Sequence, residues 1–304
     1  MRSGAEQESR TEEGDGDNMP SSGIEPHRQQ VAALRAILAA MPEIAVAVSG
    51  GVDSLTLSVL AHRTLGAGAV RMFHAVSPAV PPEATARVRE IAGREGWLLS
   101  VIDAGEFASA EYRENPVNRC FYCKTHLYAA VRRNTGVQIL SGTNLDDLGE
   151  YRPGLDAARE HGVRHPFVEA GIDKRTVRAI ARGLGLGDIA ELPAAPCLSS
   201  RVETGIRIEA GLLALVHAVE RLAAAELTPR TVRCRVRPGK LVVELDEASL
   251  TRLDDAERGR LAAAVEALAQ EHGLDPRPVS FAPYRTGSAF LVGGRVAAAE
   301  TARS

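Results

Sequence analysis

The stretch Ile44-Ala45-Val46-Ala47-Val48-Ser49-Gly50-Gly51-Val52-Asp53-Ser54 runs from apolar residues straight into glycines, hydroxyls and one acid. Its first half reads as a buried strand, because Val46 and Val48 suit a strand covered on both faces and nothing polar interrupts the run before Ser49. Gly50 and Gly51 let the backbone turn sharply with its N–H groups aimed at one spot, which makes a nest for an anion. A helix that begins near Val52 or Asp53 adds unpaired N–H groups and the positive end of its dipole. Ser49 and Ser54 bring hydroxyl donors to the same spot. Ser49, Gly50, Gly51, Val52, Asp53 and Ser54 are therefore the candidate phosphate-binding residues.

Two commoner phosphate loops are excluded, since neither G-x-x-x-x-G-K-[ST] nor G-x-G-x-x-G occurs here. The string SGGVDS at 49–54 resembles the PP-loop of ATP pyrophosphatases, which split ATP between the α- and β-phosphates and so adenylylate an acceptor. The plain alternative is an ordinary glycine turn. The strand-to-helix setting is the one the chemistry requires and favours the nucleotide.

With 304 residues, 45% of them hydrophobic, the chain is long enough for a sizeable core and two domains. A net charge of −3 gives no basic footprint for nucleic acid. No apolar run is long enough to span a bilayer, and residues 1–26, rich in acid, Gly and Ser, read as a disordered tail without a secretion signal. Four cysteines in such a chain imply a reducing, cytoplasmic setting.

Apolar periodicity predicts a helix over His27 to Met41 ahead of the first strand and a second helix behind the glycines. Strand Val70 to Val76, helix Glu83 to Arg94, strand Leu98 to Ile102, helix Phe121 to Arg132 and strand Val137 to Leu140 follow. This alternation predicts an α/β fold, a doubly wound parallel sheet with helices on both faces and its ligands at the carboxyl ends of the strands. Ser49 to Ser54, Ser77 and Pro78, and Gly142, Thr143, Asn144, Asp146 and Asp147 should all face one crevice there. After Thr204 the pattern changes to helix Glu209 to Ala225, strands Val232 to Val236 and Leu241 to Leu245, helix Leu250 to Gln270 and strand Pro278 to Phe281. That predicts a nucleotide domain over 27–203 and a smaller α+β domain over 204–304, with a hairpin turn at Arg237 to Lys240.

Cys120 and Cys123 form C-x-x-C at the expected start of a helix, where the dipole, Arg119 and Lys124 should lower their pKa. A redox pair, a zinc site completed by His126, and a cluster that includes Cys197 all remain open. Cys197 precedes Ser199, Ser200 and Arg201, which suit phosphate or carboxylate. Three cysteines from two loops suit a [4Fe–4S] cluster with one iron left open. Cys234 alternates with Arg233 and Arg235 on a strand and reads as packing.

GTNLDDLGEYRPG (142–154), HPFVEAGIDKRTVRAIARGLGL (165–186) and PAAPCLSSR (193–201), after SGGVDS, resemble the LarE-type sulfur transferases of nickel-pincer nucleotide cofactor biosynthesis. The match runs from about Gln29 to Gly287. It implies an adenine nucleotide α-hydrolase-like PP-loop domain and ATP-dependent replacement of carboxylate oxygen by sulfur on a pyridinium-3,5-dicarboxylate mononucleotide. One form of the family sacrifices a cysteine, and another holds an iron–sulfur cluster on three. Cys120, Cys123 and Cys197 together resemble the cluster form. ATP would sit on the loop with Gly142, Thr143 and Asn144. Mg²⁺ would be held by Asp53 and Asp147, with Asp146 equally readable as a helix cap. The resemblance further implies a phosphorylated substrate held by Arg152, Ser200, Arg201, Arg233, Arg235 and Arg285, with Glu220 and Glu244 packed beside the strand arginines. It also implies self-association. Val202-Glu203-Thr204-Gly205, Leu192 and Ala282-Pro283 depart from the family pattern and put the substrate in question more than ATP. An ammonia-delivering PP-loop ligase, a tRNA thiolase and a nucleotide or redox sensor are the rival readings.

Overall fold

The structure is a computed structural model that describes residues 27–149, 152–194, 196–292 and 295–296. The acidic stretch read above as a tail lies outside the described residues. The first part of the chain contains α1 (Arg28–Ala39), β1 (Ile44–Ala47), α2 (Val52–Leu65), β2 (Val70–Ala75), α3 (Pro82–Glu95), β3 (Leu98–Ile102), α4 (Ala110–Arg113), α5 (Arg119–Asn134) and β4 (Gln138–Leu140). Four short helices follow: α6 (Pro153–Glu160), α7 (Pro166–Glu169), α8 (Lys174–Gly183) and α9 (Gly187–Ala190).

The four strands form one parallel sheet in the order β3-β2-β1-β4, so β1 is central, with Ile44 opposite Val70 on one side and Gln138 on the other. Successive β1 side chains enter opposite cores, as the period of a strand dictates. Ile44, Val46 and Val48 pack with Leu34, Leu38, Leu55, Met72 and Ile180, while Ala45 and Ala47 pack with Phe73, Tyr128, Val131 and Ile139. Helices therefore cover both faces, and the expected α/β class is the observed one. Each fully buried Leu or Ile here contributes about 1.5–3 kcal/mol. β3 lies at the edge, where Leu98 and Val101 are exposed.

The smaller part contains α10 (Ala210–Leu227), β5 (Val232–Arg237), β6 (Lys240–Leu245), α11 (Glu247–Arg252), α12 (Asp255–Glu271) and β7 (Val279–Pro283), followed by the pair β8 (Leu291–Val292) and β9 (Arg295–Val296). Its sheet has the order β5-β6-β7, antiparallel at the first pair and parallel at the second. Gly239, at φ +69°, makes the expected hairpin turn. The single helix predicted over Leu250 to Gln270 is two helices. The first ends at Arg252 with Leu253 as its cap, and Asp254 caps the second in a reciprocal capping box with Glu257, whose N–H donates to Asp254 Oδ1 at 2.8 Å while Asp254 N–H donates to Glu257 Oε2 at 3.1 Å. Val219, Cys234, Leu245 and Leu261 form the core here, with Tyr112 and Leu198 packing in from the first part. No helix among the described residues is long and apolar enough to cross a membrane.

Candidate active site

β1 delivers the phosphate loop, and backbone contacts fix it. Gly50 sits at φ +83°, and a Cβ there would lie 2.7 Å from the Ala84 carbonyl oxygen, so only glycine fits. Buried Ser54 accepts from Ser49 N–H at 3.1 Å and donates to Gly51 O at 3.1 Å, which leaves the Ser49 hydroxyl to donate to Ser54 Oγ at 3.1 Å. These hydroxyls shape the loop rather than project from it. Arg87 Nε donates to Gly50 O at 2.9 Å. His74 holds the end of β1: its Nδ1 donates to Val48 O at 2.8 Å, so Nε2 accepts from the Thr85 hydroxyl at 2.9 Å. Burial lowers the His74 pKa and keeps the ring neutral. No side chain caps α2, so its first N–H groups are left for an anion.

The loop after β4 packs beside the phosphate loop. A Cβ on Gly142 would come within 2.8 Å of the Asp53 carbonyl carbon and Ser54 N, so glycine is required for this approach. Buried Asn144 joins two acids, donating from Nδ2 to Asp53 Oδ1 and from its backbone N–H to Asp147 Oδ2, each at 3.1 Å. Asp53 is also ion-paired with Lys174, and Asp147 with Arg152 at 3.0 Å. Asp146 Oδ2 accepts from Lys174 N–H at 3.2 Å at the start of α8, which is the capping role. Thr143 shares a 3.1 Å hydrogen bond with the Ser141 hydroxyl. This cluster flanks the phosphate loop and does not line the crevice described next, contrary to the expectation that all three clusters would share it. Asp53 and Asp147, linked through Asn144, fit the few carboxylates that Mg²⁺ takes from protein when phosphates and water supply the rest.

A crevice of about 440 Å³ opens beyond the loop, lined by Ser49, Gly50 and Gly51, by Cys123 and Lys124 from α5, by Cys197, and by Arg233 from β5. Leu198 N–H donates to Ala79 O at 2.8 Å and sets the Cys197 turn against the loop between β2 and α3. Buried Asn115 anchors the approach to α5 by donating to Glu203 O at 2.9 Å and Ile206 O at 3.0 Å. Cys120, Cys123 and Cys197 are free, half-buried thiols, and each of the first two feels the charge of Cys197. Burial pushes Cys120 up and Cys123 to about 12, outweighing Arg119 and Lys124. The lowered pKa expected from the helix start is thus reversed by desolvation. Burial opposes the charge of Lys124, but Tyr128 and the three sulfurs outweigh it and hold its pKa up.

Among the described residues no group of three His, Cys, Asp or Glu is placed to hold a single metal ion, so the zinc reading is not supported. His126 instead lines a separate hollow with Ser109 and Glu111. A cubane cluster takes one thiolate at each of several corners and so spaces its ligands more widely than one ion does. Cys120, Cys123 and Cys197 are the three free thiols that such a cluster would take, and the charges of all three reach Lys124.

Arg201, in the turn after Cys197, and the arginines of the smaller part are largely engaged. Arg201 is buried and grips Glu220 with Nε at 2.9 Å and Nη2 at 3.0 Å. Its Nη1 donates to Pro196 O at 2.6 Å and to Cys197 O and Ser200 Oγ at 3.1 Å. It therefore shapes the Cys197 turn. Buried Arg235 pairs with Glu244 at 2.8 Å and donates to Ser200 O at 3.2 Å. Arg233 is half-buried over Tyr284 and donates to Ala194 O at 2.8 Å, with its pKa lowered by burial and by neighbouring Arg201. Arg285 is exposed and offers its carbonyl to Arg235. Cys234 is fully buried core, its pKa raised by burial.

No family model matches the chain. It is 36% identical over 198 residues to an uncharacterized protein of Synechocystis sp., covering 64% of this chain and 71% of that one. It is 29% identical over 223 residues to the pyridinium-3,5-bisthiocarboxylic acid mononucleotide synthase of Lactiplantibacillus plantarum, covering 72% of this chain and 80% of that one. An uncharacterized protein of Methanocaldococcus jannaschii is 27% identical over 210 residues, covering 67% and 78%. Over most of its length the chain is thus similar to a LarE-type synthase. The sequence reading missed Lys174, Arg87 and the Tyr112 hydroxyl, which shares a 2.6 Å hydrogen bond with buried Ser199 behind the Cys197 turn. Lys174 follows Asp173, which caps α8, and that pairing marks a helix start without revealing what the ammonium reaches.

Proposed function

We propose that this chain is an ATP-dependent sulfur transferase that converts a carboxylate of a pyridinium-3,5-dicarboxylate mononucleotide into a thiocarboxylate. The carrying observation is that the phosphate loop and the thiols of Cys123 and Cys197 line one crevice, which suits activation by ATP and attack by sulfur on the same group. The Lactiplantibacillus plantarum relative is named for a pyridinium bisthiocarboxylate, and the carboxylate is the corresponding precursor.

The polyphosphate of ATP sits on the N–H groups of Ser49 to Ser54, with Gly142, Thr143 and Asn144 holding the loop's flank and Arg87 and Lys174 supplying charge. A carboxylate is a poor electrophile. Its oxygen attacks the α-phosphorus, pyrophosphate departs, and the resulting mixed anhydride carries AMP as a good leaving group. Sulfur then attacks the acyl carbon, a C–S bond forms, the C–O bond breaks and AMP leaves with the electron pair. Lys174 exchanges Asp53 for a phosphate oxygen as ATP arrives, which frees Asp53 to join Asp147. Mg²⁺ held by these two acids would neutralise charge on the polyphosphate. A [4Fe–4S] cluster held by Cys120, Cys123 and Cys197 would carry the extra sulfide that serves as donor; without it Cys197 is the sacrificial donor, its thiol forming a thioester whose Cβ–S bond then breaks with loss of the Cα proton, which releases the thiocarboxylate and leaves dehydroalanine. Arg233 and exposed Arg285 and Arg152 take the substrate phosphate, while Arg201, Arg235 and Ser200 hold the Cys197 turn in place. The protein is expected to work as a cytoplasmic homo-oligomer.

Anaerobic protein incubated with ATP, Mg²⁺ and the dicarboxylate nucleotide should give AMP, pyrophosphate and thiocarboxylate. Formation of ADP would remove the PP-loop assignment. Unchanged turnover with ammonia after Cys120 and Cys123 are both replaced by serine would favour an amide-forming ligase.

A further inference from the structure

We propose that Glu106 is a specificity-determining residue that pairs with a flat, delocalised organic cation, a pyridinium ring, at the cysteine end of the crevice. The inference rests on the function proposed above and adds what selects the ring. Glu106 opens a short 3-10 turn, Glu106–Ala108, directly after β3, and it is 5% exposed. Its Oε2 has no hydrogen-bond partner among the described residues, although the side chain lines the crevice beside Ala104, Cys123, Lys124 and Leu127. A buried carboxylate oxygen left unpaired costs stability, and such a group calls for an explanation in what binds there.

Three carboxylates line the crevice. Glu83 is paired with Arg221 at 2.8 Å, and Glu220 is gripped by Arg201 at 2.9 Å. Glu106 has no ion pair among the described residues. Arg87, Lys124, Arg201, Arg221 and Arg233 make the rest of the lining basic, which suits the phosphates of two nucleotides. Glu106 is thus the unpaired negative charge in a positive crevice. A metal ion does not account for it, because no group of three candidate ligands is assembled among the described residues. Phe73, Ala104, Leu127 and Leu198 line the same crevice and offer apolar surface for the face of a ring. A pyridinium spreads its charge over a flat, weakly hydrated surface, so it loses little on leaving water and gains a buried counter-ion. The charge of Glu106 also raises the Cys123 pKa, which places the carboxylate within electrostatic reach of the sulfur.

The test is calorimetric binding to the full-length protein of pyridinium-3,5-dicarboxylate mononucleotide and of its dihydropyridine form, whose ring is uncharged, with ATP affinity as a control. Wild type should prefer the pyridinium, and Glu106→Gln should weaken that ligand by about tenfold while leaving the dihydro form and ATP unchanged. The near-isosteric amide removes a buried charge, so the variant should melt no lower than wild type. Equal weakening of both forms, or an undiminished preference in Glu106→Gln, would overturn the assignment while leaving the sulfur-transfer reading intact. A wild type that binds ATP but neither form would overturn both.

Discussion

Asp53 shows how much of the site is decided by single charges. Its carboxylate faces Lys174 on one side and Asn144 on the other, at the first turn of α2. Replacing it with alanine removes the group that holds Lys174 and that the proposed mechanism assigns to Mg²⁺, and AMP formation should fall by roughly 10²-fold or more, with the protein still folded by circular dichroism. If Asp53→Ala unfolds the chain while its native fraction binds ATP normally, Asp53 only starts a helix. Arg235 and Glu244 are 4% and 3% exposed and form a pair whose worth lies in not being half-removed. Arg235→Ala should cost about 3 kcal/mol in urea unfolding, because buried Glu244 then keeps, among the described residues, only the Ser288 hydroxyl at 2.7 Å and a longer 3.7 Å pair with Arg237, whereas replacing both by apolar residues should cost far less. A small effect of the single substitution would mean that water already reaches Glu244. Ser49, Gly50, Gly51 and Asp53 were legible because loop chemistry demands them in one short string. Lys174, Arg87 and Glu106 were not, because nothing local distinguishes a surface cation or acid from one that folding carries to a site.

Elements were read best where period and punctuation agreed. β1 has an unbroken apolar run ending in glycine, and the five-residue strand Leu98–Ile102 is found with the bounds its sequence predicts. Apolar spacing from Leu250 through Leu253 and Leu261 continues smoothly across the break between α11 and α12, so periodicity alone gave one helix where the Asp254 capping box makes two. The helices α6 to α9 are short, and four to ten residues give too few turns for an apolar stripe to declare itself. At this scale the close approach of the β4 loop to α2 is the feature most open to test. Gly142→Ala adds a methyl that must displace the Asp53–Ser54 backbone. It should lower stability by about 1–3 kcal/mol and raise the apparent Kd for ATP, measured by fluorescence titration. An unchanged Kd would show that the β4 loop does not set the phosphate loop.

Across the whole molecule, the crevice is closed on one side by a contact between α3 and α10. Glu83 accepts from Arg221 at 2.8 Å and lies 3.4 Å from His217 Nε2. Partial burial pushes the Glu83 pKa up, but its backbone hydrogen bond, His217 and Arg221 outweigh this and leave it below the ordinary 4.5. A depressed carboxylate contributes its stability in full above pH 4.5 and loses it as pH falls through the folded-state pKa. The melting temperature of wild type should therefore exceed that of Glu83→Gln by a constant amount at neutral pH, and the gap should close on the acid side of 4.5. A gap independent of pH would mean that the contact is not ionic. That such a tie joins elements more than a hundred residues apart was invisible in the sequence, which placed both helices but not their contact. The central claim is that one crevice joins an adenylylating loop to a sulfur donor. It is tested most directly by measuring substrate-dependent ATP–pyrophosphate exchange and thiocarboxylate yield together in a variant with Cys120, Cys123 and Cys197 all changed to serine. Exchange should persist while thiocarboxylate disappears, and thiocarboxylate at the wild-type yield would contradict the account.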